Sequence, residues 1–316
     1  MTLDEIAAAA PHTNALRVPE WALGCVRRRS ITMATGIEDA LTRVFWVQAH
    51  GMTGDIRIHP ARPRIAADVD FTSLDRETLG LLASVEGGVA ATSWNAPVMS
   101  WTNWIGFQPY DKYPEPGIMH RIGDCMIEFA PSGAYVEDWR YLPSAPGLLA
   151  GLQLISETDD DGRSSTRTGG LVVAGDHAIR TLARRDELPD GTRAQDFVRA
   201  SIDPVAALDR VFDCITDYMV RDGALWIIEA STDPRREGLR VALTGDLSRG
   251  NDPSTLVETV TGTAGMTQRL WRIDSLEADH AFNQSTPLGP DQRAWLDREA
   301  DTLLAPLQAI TTRKVA

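Results

Sequence analysis

Apolar and polar residues alternate at every second position through much of this chain, and stretches with helical spacing are few. That period marks half-buried strands, because successive side chains of extended backbone point to opposite faces. Residues 43–50 form a strand rich in β-branched and aromatic side chains. In residues 55–59, Asp55, Arg57 and His59 face one way and Ile56 and Ile58 the other. Two strand-rich blocks follow, 91–109 and 122–142, joined through a proline-containing surface loop at 110–117. In the second block Tyr135, Glu137, Trp139 and Tyr141 share a face, which sets a carboxylate among three aromatic rings. Residues 148–157, 171–177, 240–243 and 268–274 continue the strand pattern. Residues 210–221 and 224–231 read as a hairpin, since Asp222-Gly223 suits a tight turn between alternating runs.

Helical spacing is confined to a few places. A short helix and a proline-bounded linker occupy the first 20 residues, and 186–209 reads mostly as connector. Residues 71–85 read as a helix capped by Thr72 or Ser73 and ended by Gly87-Gly88. Residues 290–310 read as a terminal helix whose stripe of Trp295, Leu296, Leu303, Leu304 and Leu307 must dock somewhere. Many short strands without strand–helix alternation predict a mainly β protein made of two successive antiparallel barrels, each closed to remove exposed edges. The Pro/Gly-rich segment 143–147 separates them. The chain therefore divides into an extension (1–20), a first barrel (21–145), a second barrel (146–288) and a C-terminal helix (289–316).

Composition narrows the class. With 316 residues, 43% hydrophobic and 24% charged, the chain is an ordinary globular protein able to bury a large core. Nine Trp against five Tyr imply large aromatic walls or well-filled interiors. A net charge of −13 argues against nucleic acid and anionic membrane as partners. The tight basic run Arg27-Arg28-Arg29 reads as a solvated patch. Cys25, Cys125 and Cys214 are odd in number, widely spaced and without a Cys-x-x-Cys pattern, which fits a reducing compartment. The amino terminus carries acids where a signal peptide needs base, and no run nears the roughly 20 apolar residues of a membrane span. The expectation is a cytoplasmic protein.

Nucleotide-binding glycine motifs, His-Glu-x-x-His and Gly-x-Ser-x-Gly are all missing from the chain. What remains is a constellation of Gln48, His50, Asp55, Arg57, His59 and Glu137. Inward side chains alternate along every barrel strand and polar ones need partners, so Arg57 against Glu137 is the expected buried pair. A structural ion pair that fixes strand register weighs somewhat more than a catalytic one. Three histidines, His50, His59 and His120, lack any diagnostic ligand spacing, so no metal, haem or other cofactor is expected.

The ordered set Phe45-Trp-Val-Gln48, Asp55-Ile-Arg-Ile58, Trp101-Thr-Asn-Trp104, Tyr135-Val-Glu-Asp-Trp139 and Trp226-Ile-Ile-Glu-Ala-Ser-Thr232 resembles a group of bacterial relatives of fungal two-barrel calycin (lipocalin-like) proteins. The resemblance covers residues 21–272 and implies two lipocalin-like barrels in tandem, without assigning a reaction. Where the bacterial pattern often has His-Arg after the tryptophan, this chain has Thr102-Asn103, so a polar function carried there is altered or lost.

The leading expectation is a barrel cavity that holds a small, mostly apolar or aromatic molecule, walled by Trp46, Trp101, Trp104, Tyr135 and Trp139, with Gln48 and Asn103 as further ligand contacts. The rival is a cofactor-independent lyase, isomerase or cyclase of secondary metabolism. There Glu137, Asp55 or His59 serves as acid or base and Arg57 stabilises negative charge. A third reading is a filled-barrel scaffold whose acidic exterior binds a protein partner.

Overall fold

The computed structural model describes every residue except 14–16, 110–114, 190, 263–264, 283–288 and 314–316, and the backbone alone for 303–313. Most of the expected 110–117 loop therefore lies outside the described residues. The protein is mainly β and is built from two antiparallel sheets.

Eight strands make the first sheet: β1 (Gly24–Met33), β2 (Arg43–Gln48), β3 (Met52–Ile58), β4 (Glu86–Asn95), β5 (Val98–Gly106), β6 (Gly117–Ile122), β7 (Cys125–Phe129) and β8 (Tyr135–Tyr141). Each pairs with its neighbour in sequence, and β8 pairs back onto β1, closing the barrel and removing its edges. A two-residue strand, Glu38–Asp39, caps one end of β1. Between β3 and β4 runs α2 (Arg76–Leu82), shorter than the sequence suggests. Its N-cap is Asp75, which accepts a hydrogen bond from the Thr78 amide, while Thr72 and Ser73 lie in a separate 3-10 turn. Gly87 and Gly88 do not end this helix; they sit inside β4, where neighbours press too closely for a side chain.

The chain then crosses to the second sheet between Tyr141 and Gly147. Its main strands are β9 (Gly147–Thr158), β10 (Gly169–Ala174), β11 (His177–Leu182), β12 (Ile215–Asp222), β13 (Leu225–Ser231), β14 (Asp246–Arg249), β15 (Thr255–Gly262) and β16 (Gly265–His280). Their spatial order is β13-β12-β11-β10-β9-β16-β15-β14, with Arg240–Val241 beyond β13. Here the expected second closure is not found: among the described residues β14 does not pair with the opposite edge, and the sheet is a curled half-barrel. The extension belongs to this sheet, since α1 (Leu3–Ala9) buries Leu3, Ile6 and Ala7 in its core and His12–Thr13 pairs with β16.

The Asp222-Gly223 hairpin forms as read, with Gly223 at a φ of 64°. Its first strand starts five residues later, because residues 204–212 form α4 (Pro204–Phe212) after α3 (Ala194–Ala200). Asp203 caps α4, Pro204 opens it, and Ala207, Leu208, Val211 and Phe212 make its buried face. A short helical stripe before a strand is easily read as one longer strand.

The barrel and the curled sheet share one apolar core that includes Val44, Ile56 and Val89 from the barrel and Val172, Ile179 and Tyr218 from the sheet. Phe45 stacks on Tyr218 at 4.1 Å, and the Arg62 guanidinium donates to the Ser231 carbonyl at 2.8 Å. The segment 143–147 thus joins two packed layers. The terminal helix, α5 (Pro290–Arg313), forms as expected, yet Trp295 is 49% exposed, so this part of its stripe is undocked. No helix among the described residues is long and apolar enough to cross a membrane.

Candidate functional site

Inward positions of the barrel enclose a cavity of about 150 Å³. Its walls are indoles: Trp46 from β2, Trp101 and Trp104 from β5, and Trp139 from β8. Trp46 meets Trp139 at 5.4 Å and Trp101 at 5.6 Å, both edge to face, the arrangement that ring quadrupoles favour. Trp104 comes close to the barrel wall because Gly88 has no side chain; a Cβ there would lie 2.6 Å from the indole Cζ2. The lining reaches solvent at exposed Met33 and at half-buried Glu115 and Tyr135.

The alternation expected along β8 is present. Glu137 and Trp139 are buried, with Tyr135, Glu137 and Trp139 all lining the cavity. The guanidinium that meets Glu137 belongs to Arg28, not to Arg57 as the sequence suggests: Arg28 Nη1 donates to Glu137 Oε1 at 2.7 Å. Arg28 Nη2 also donates to Asp39 at 3.0 Å. The basic run is therefore not a uniform solvated patch, since Arg28 is buried between exposed Arg27 and Arg29. A bulge causes this. The β8–β1 register shifts between Asp138 and Trp139, pairing Asp138 with Ser30 but Trp139 with Arg28, and leaves Arg29 over. One extra residue turns Arg28 inward beside Trp139.

Arg57 and Asp55 both line the cavity, with the Arg57 Nε donating to Asp55 Oδ1 at 2.8 Å. Desolvation raises the Asp55 carboxyl above its ordinary value, against the pull of the Arg57 charge. The residue that sequence reading passed over is Glu128 of β7, the direct cross-strand partner of Glu137. Glu128 is 4% exposed and accepts the Tyr135 hydroxyl at 3.1 Å. Burial first, and then the neighbouring Glu137 charge, hold the Glu128 carboxyl well above the usual range. The Tyr135 phenol is raised too, by burial and by both glutamates. The site thus pairs a carboxyl shifted toward its neutral form with one supplied with a counter-charge, which is the arrangement from which acid and base roles can be divided. The only sequence signal for Glu128 was alternation: Met126 and Glu128 are the buried positions of β7.

Other expected site residues lie elsewhere. His59 follows the end of β3, is exposed, and accepts the Ala61 amide at its Nδ1. Gln48 is buried but lies outside the cavity lining; it accepts the Trp46 indole N–H at 3.1 Å and donates to the Ala49 carbonyl at 2.7 Å, orienting the indole and the β2–β3 turn. Asn103 has a φ of 54° and faces a different cleft of about 270 Å³ between the barrel and the curled sheet, alongside Arg17, Gln153, Arg272 and Asp274. His50 pairs with Glu277 at 2.7 Å, and His120 packs edge-on against Phe129. Among the described residues no three His, Cys, Asp or Glu side chains group as a metal site.

No protein-family model matches the chain, and no curated protein is similar enough to count as a relative. Among solved structures it is similar to an uncharacterised protein of Saccharomyces cerevisiae, YLR301w, at 10% identity and a TM-score of 0.42. That match covers 80% of this chain and 98% of the yeast protein. An overlap of that size carries no argument about function.

Proposed function

We propose that this protein binds a small molecule inside its closed barrel, as a cytoplasmic member of the two-barrel calycin group that its motifs resemble. The supporting observation is the cavity: about 150 Å³ of space walled by four indoles, with Glu128, Glu137, Asp55 and Arg57 fixed at its surface. Space of that order accommodates a benzene-sized group, and apolar walls with a few fixed polar groups are what small-molecule sites have in common. A barrel filled solid by side chains, as a pure scaffold would have, leaves no such space.

The decisive experiment is native mass spectrometry of the protein purified from its own host. A retained small molecule, lost on denaturation, is expected. Recovery of protein at the bare chain mass from every preparation would count against this reading.

A second reading has one observation in its favour, the Glu128–Glu137 pair. A carboxyl raised by burial beside an ion-paired one suits general acid–base chemistry in a cofactor-independent lyase, isomerase or cyclase. Glu137→Gln separates the two readings: a carrier retains its ligand, whereas an enzyme retains the ligand and stops converting it.

A further inference from the structure

The cavity is apolar in its walls but acidic in its fixed groups. Among the described residues, five carboxyl-bearing side chains line it, Asp55, Glu86, Glu115, Glu128 and Glu137, with the Arg57 guanidinium donating to Asp55. Arg28 compensates Glu137 from outside the lining. Glu128 stands across from Glu137 and accepts the Tyr135 hydroxyl, and burial and the Glu137 charge outweigh the pull of Arg57 on its carboxyl. A neutral hydrocarbon in this space would leave that group facing low dielectric, and an anion would be repelled. A cation would be drawn by this carboxyl pair, and the indole faces would attract it as well.

A second observation is that four indoles line the same space, Trp46, Trp101, Trp104 and Trp139. Indole rings attract a cation, and their apolar surface excludes the water that would compete for it. The occupant that suits both observations carries its positive charge on a compact apolar body.

We infer that the ligand of the barrel is a compact organic ammonium ion, its cationic end among the indoles and the Glu128–Glu137 pair. This inference rests on the cavity-binding function proposed above and names the chemistry of that site. A bare metal ion fits less well: the walls are indoles, and among the described residues no ligand cluster is assembled.

The test is calorimetric titration of the full chain with three probes of one shape: choline, the uncharged alcohol in which carbon replaces the ammonium nitrogen, and tert-butylacetate. Choline is expected to bind about tenfold tighter than the alcohol, with tert-butylacetate weakest. A cation beside Glu128 also favours loss of its proton. Glu128 is faced by Glu137 and Tyr135 from β8, by Asp55 and Arg57 from β3, and by Glu86 and Glu115 elsewhere in the lining, with Arg28 of β1 behind Glu137. Choline binding should therefore release a proton, read as a heat that depends on the buffer, and choline affinity should rise from about pH 5 to about pH 8. Glu128→Gln, which keeps an acceptor for Tyr135, should remove the buffer dependence and weaken choline about tenfold while leaving the alcohol unchanged. If that variant does not fold, the buffer dependence in the unaltered protein decides.

Equal or tighter binding of the alcohol, or preference for tert-butylacetate, overturns the ammonium assignment and leaves the cavity-binding function standing. Choline binding with no proton release overturns the role given to Glu128. Absence of binding by all three probes at millimolar concentration overturns the ammonium assignment, and bare chain mass in the native spectra then removes the binding function too.

Discussion

Glu128 and Glu137 stand directly opposite each other on adjacent antiparallel strands, both side chains inside the barrel. Like charges in this relation repel; burial and the facing Glu137 shift the Glu128 carboxyl toward its neutral form, while Arg28 pairs with Glu137.

The protonation of Glu128 sets a pH dependence of stability. Its carboxyl titrates higher in the folded protein than in the unfolded chain, where the value is about 4.3. The folded state then binds the extra proton, so stability falls as pH rises from the unfolded value through the folded one. Each unit of that elevation costs about 1.4 kcal/mol once both states are ionised. Glu128→Gln should be more stable than the unaltered protein at pH about 8, with the difference shrinking toward pH about 4. Urea unfolding across that range measures it.

Arg28→Met leaves the Glu137 carboxylate buried without its counter-charge and should cost about 3–5 kcal/mol in urea unfolding. Adding Glu137→Leu should restore much of the loss, because removing both charges takes away the desolvation penalty of each. If Arg28→Met alone were neutral, the pair would not be buried as described.

Gly88→Ala drives a methyl into the Ile105 carbonyl oxygen and within 2.6 Å of Trp104. A loss of about 1–3 kcal/mol is expected, together with displacement of the Trp104 indole signal in an NMR spectrum.

In the curled sheet, Asp217 is 1% exposed and accepts from Ser231 Oγ at 2.8 Å and from Arg236 Nη2 at 2.7 Å. Asp217→Ala should destabilise by about 3–5 kcal/mol in urea unfolding while leaving the barrel cavity unchanged. His59→Ala, by contrast, should shift stability by no more than about 0.5 kcal/mol and leave ligand retention as it was, since His59 is exposed beyond the strand end.

The inward set Tyr135, Glu137 and Trp139 was legible because β8 keeps strict alternation, and Asp222-Gly223 announced its hairpin. Arg28 was not legible, because its orientation depends on a bulge against a strand more than 100 residues away, and alternation counted from Ile31 points Arg29 inward instead. Asn103 was misplaced for a related reason: the β4–β5 register shifts between Val89 and Ala91, and Asn103 takes a positive φ. Closure of the first sheet and openness of the second depend on pairings between distant strands, which a local pattern does not encode.

The indole of Trp46, edge to face with both Trp101 and Trp139, also makes the barrel its own optical gauge. Chromophores at that spacing couple their electronic transitions, and the coupling changes steeply with the angle between rings. A molecule that enters the cavity lies against these rings and perturbs their transitions, so the circular dichroism of the aromatic band will follow occupancy without any label.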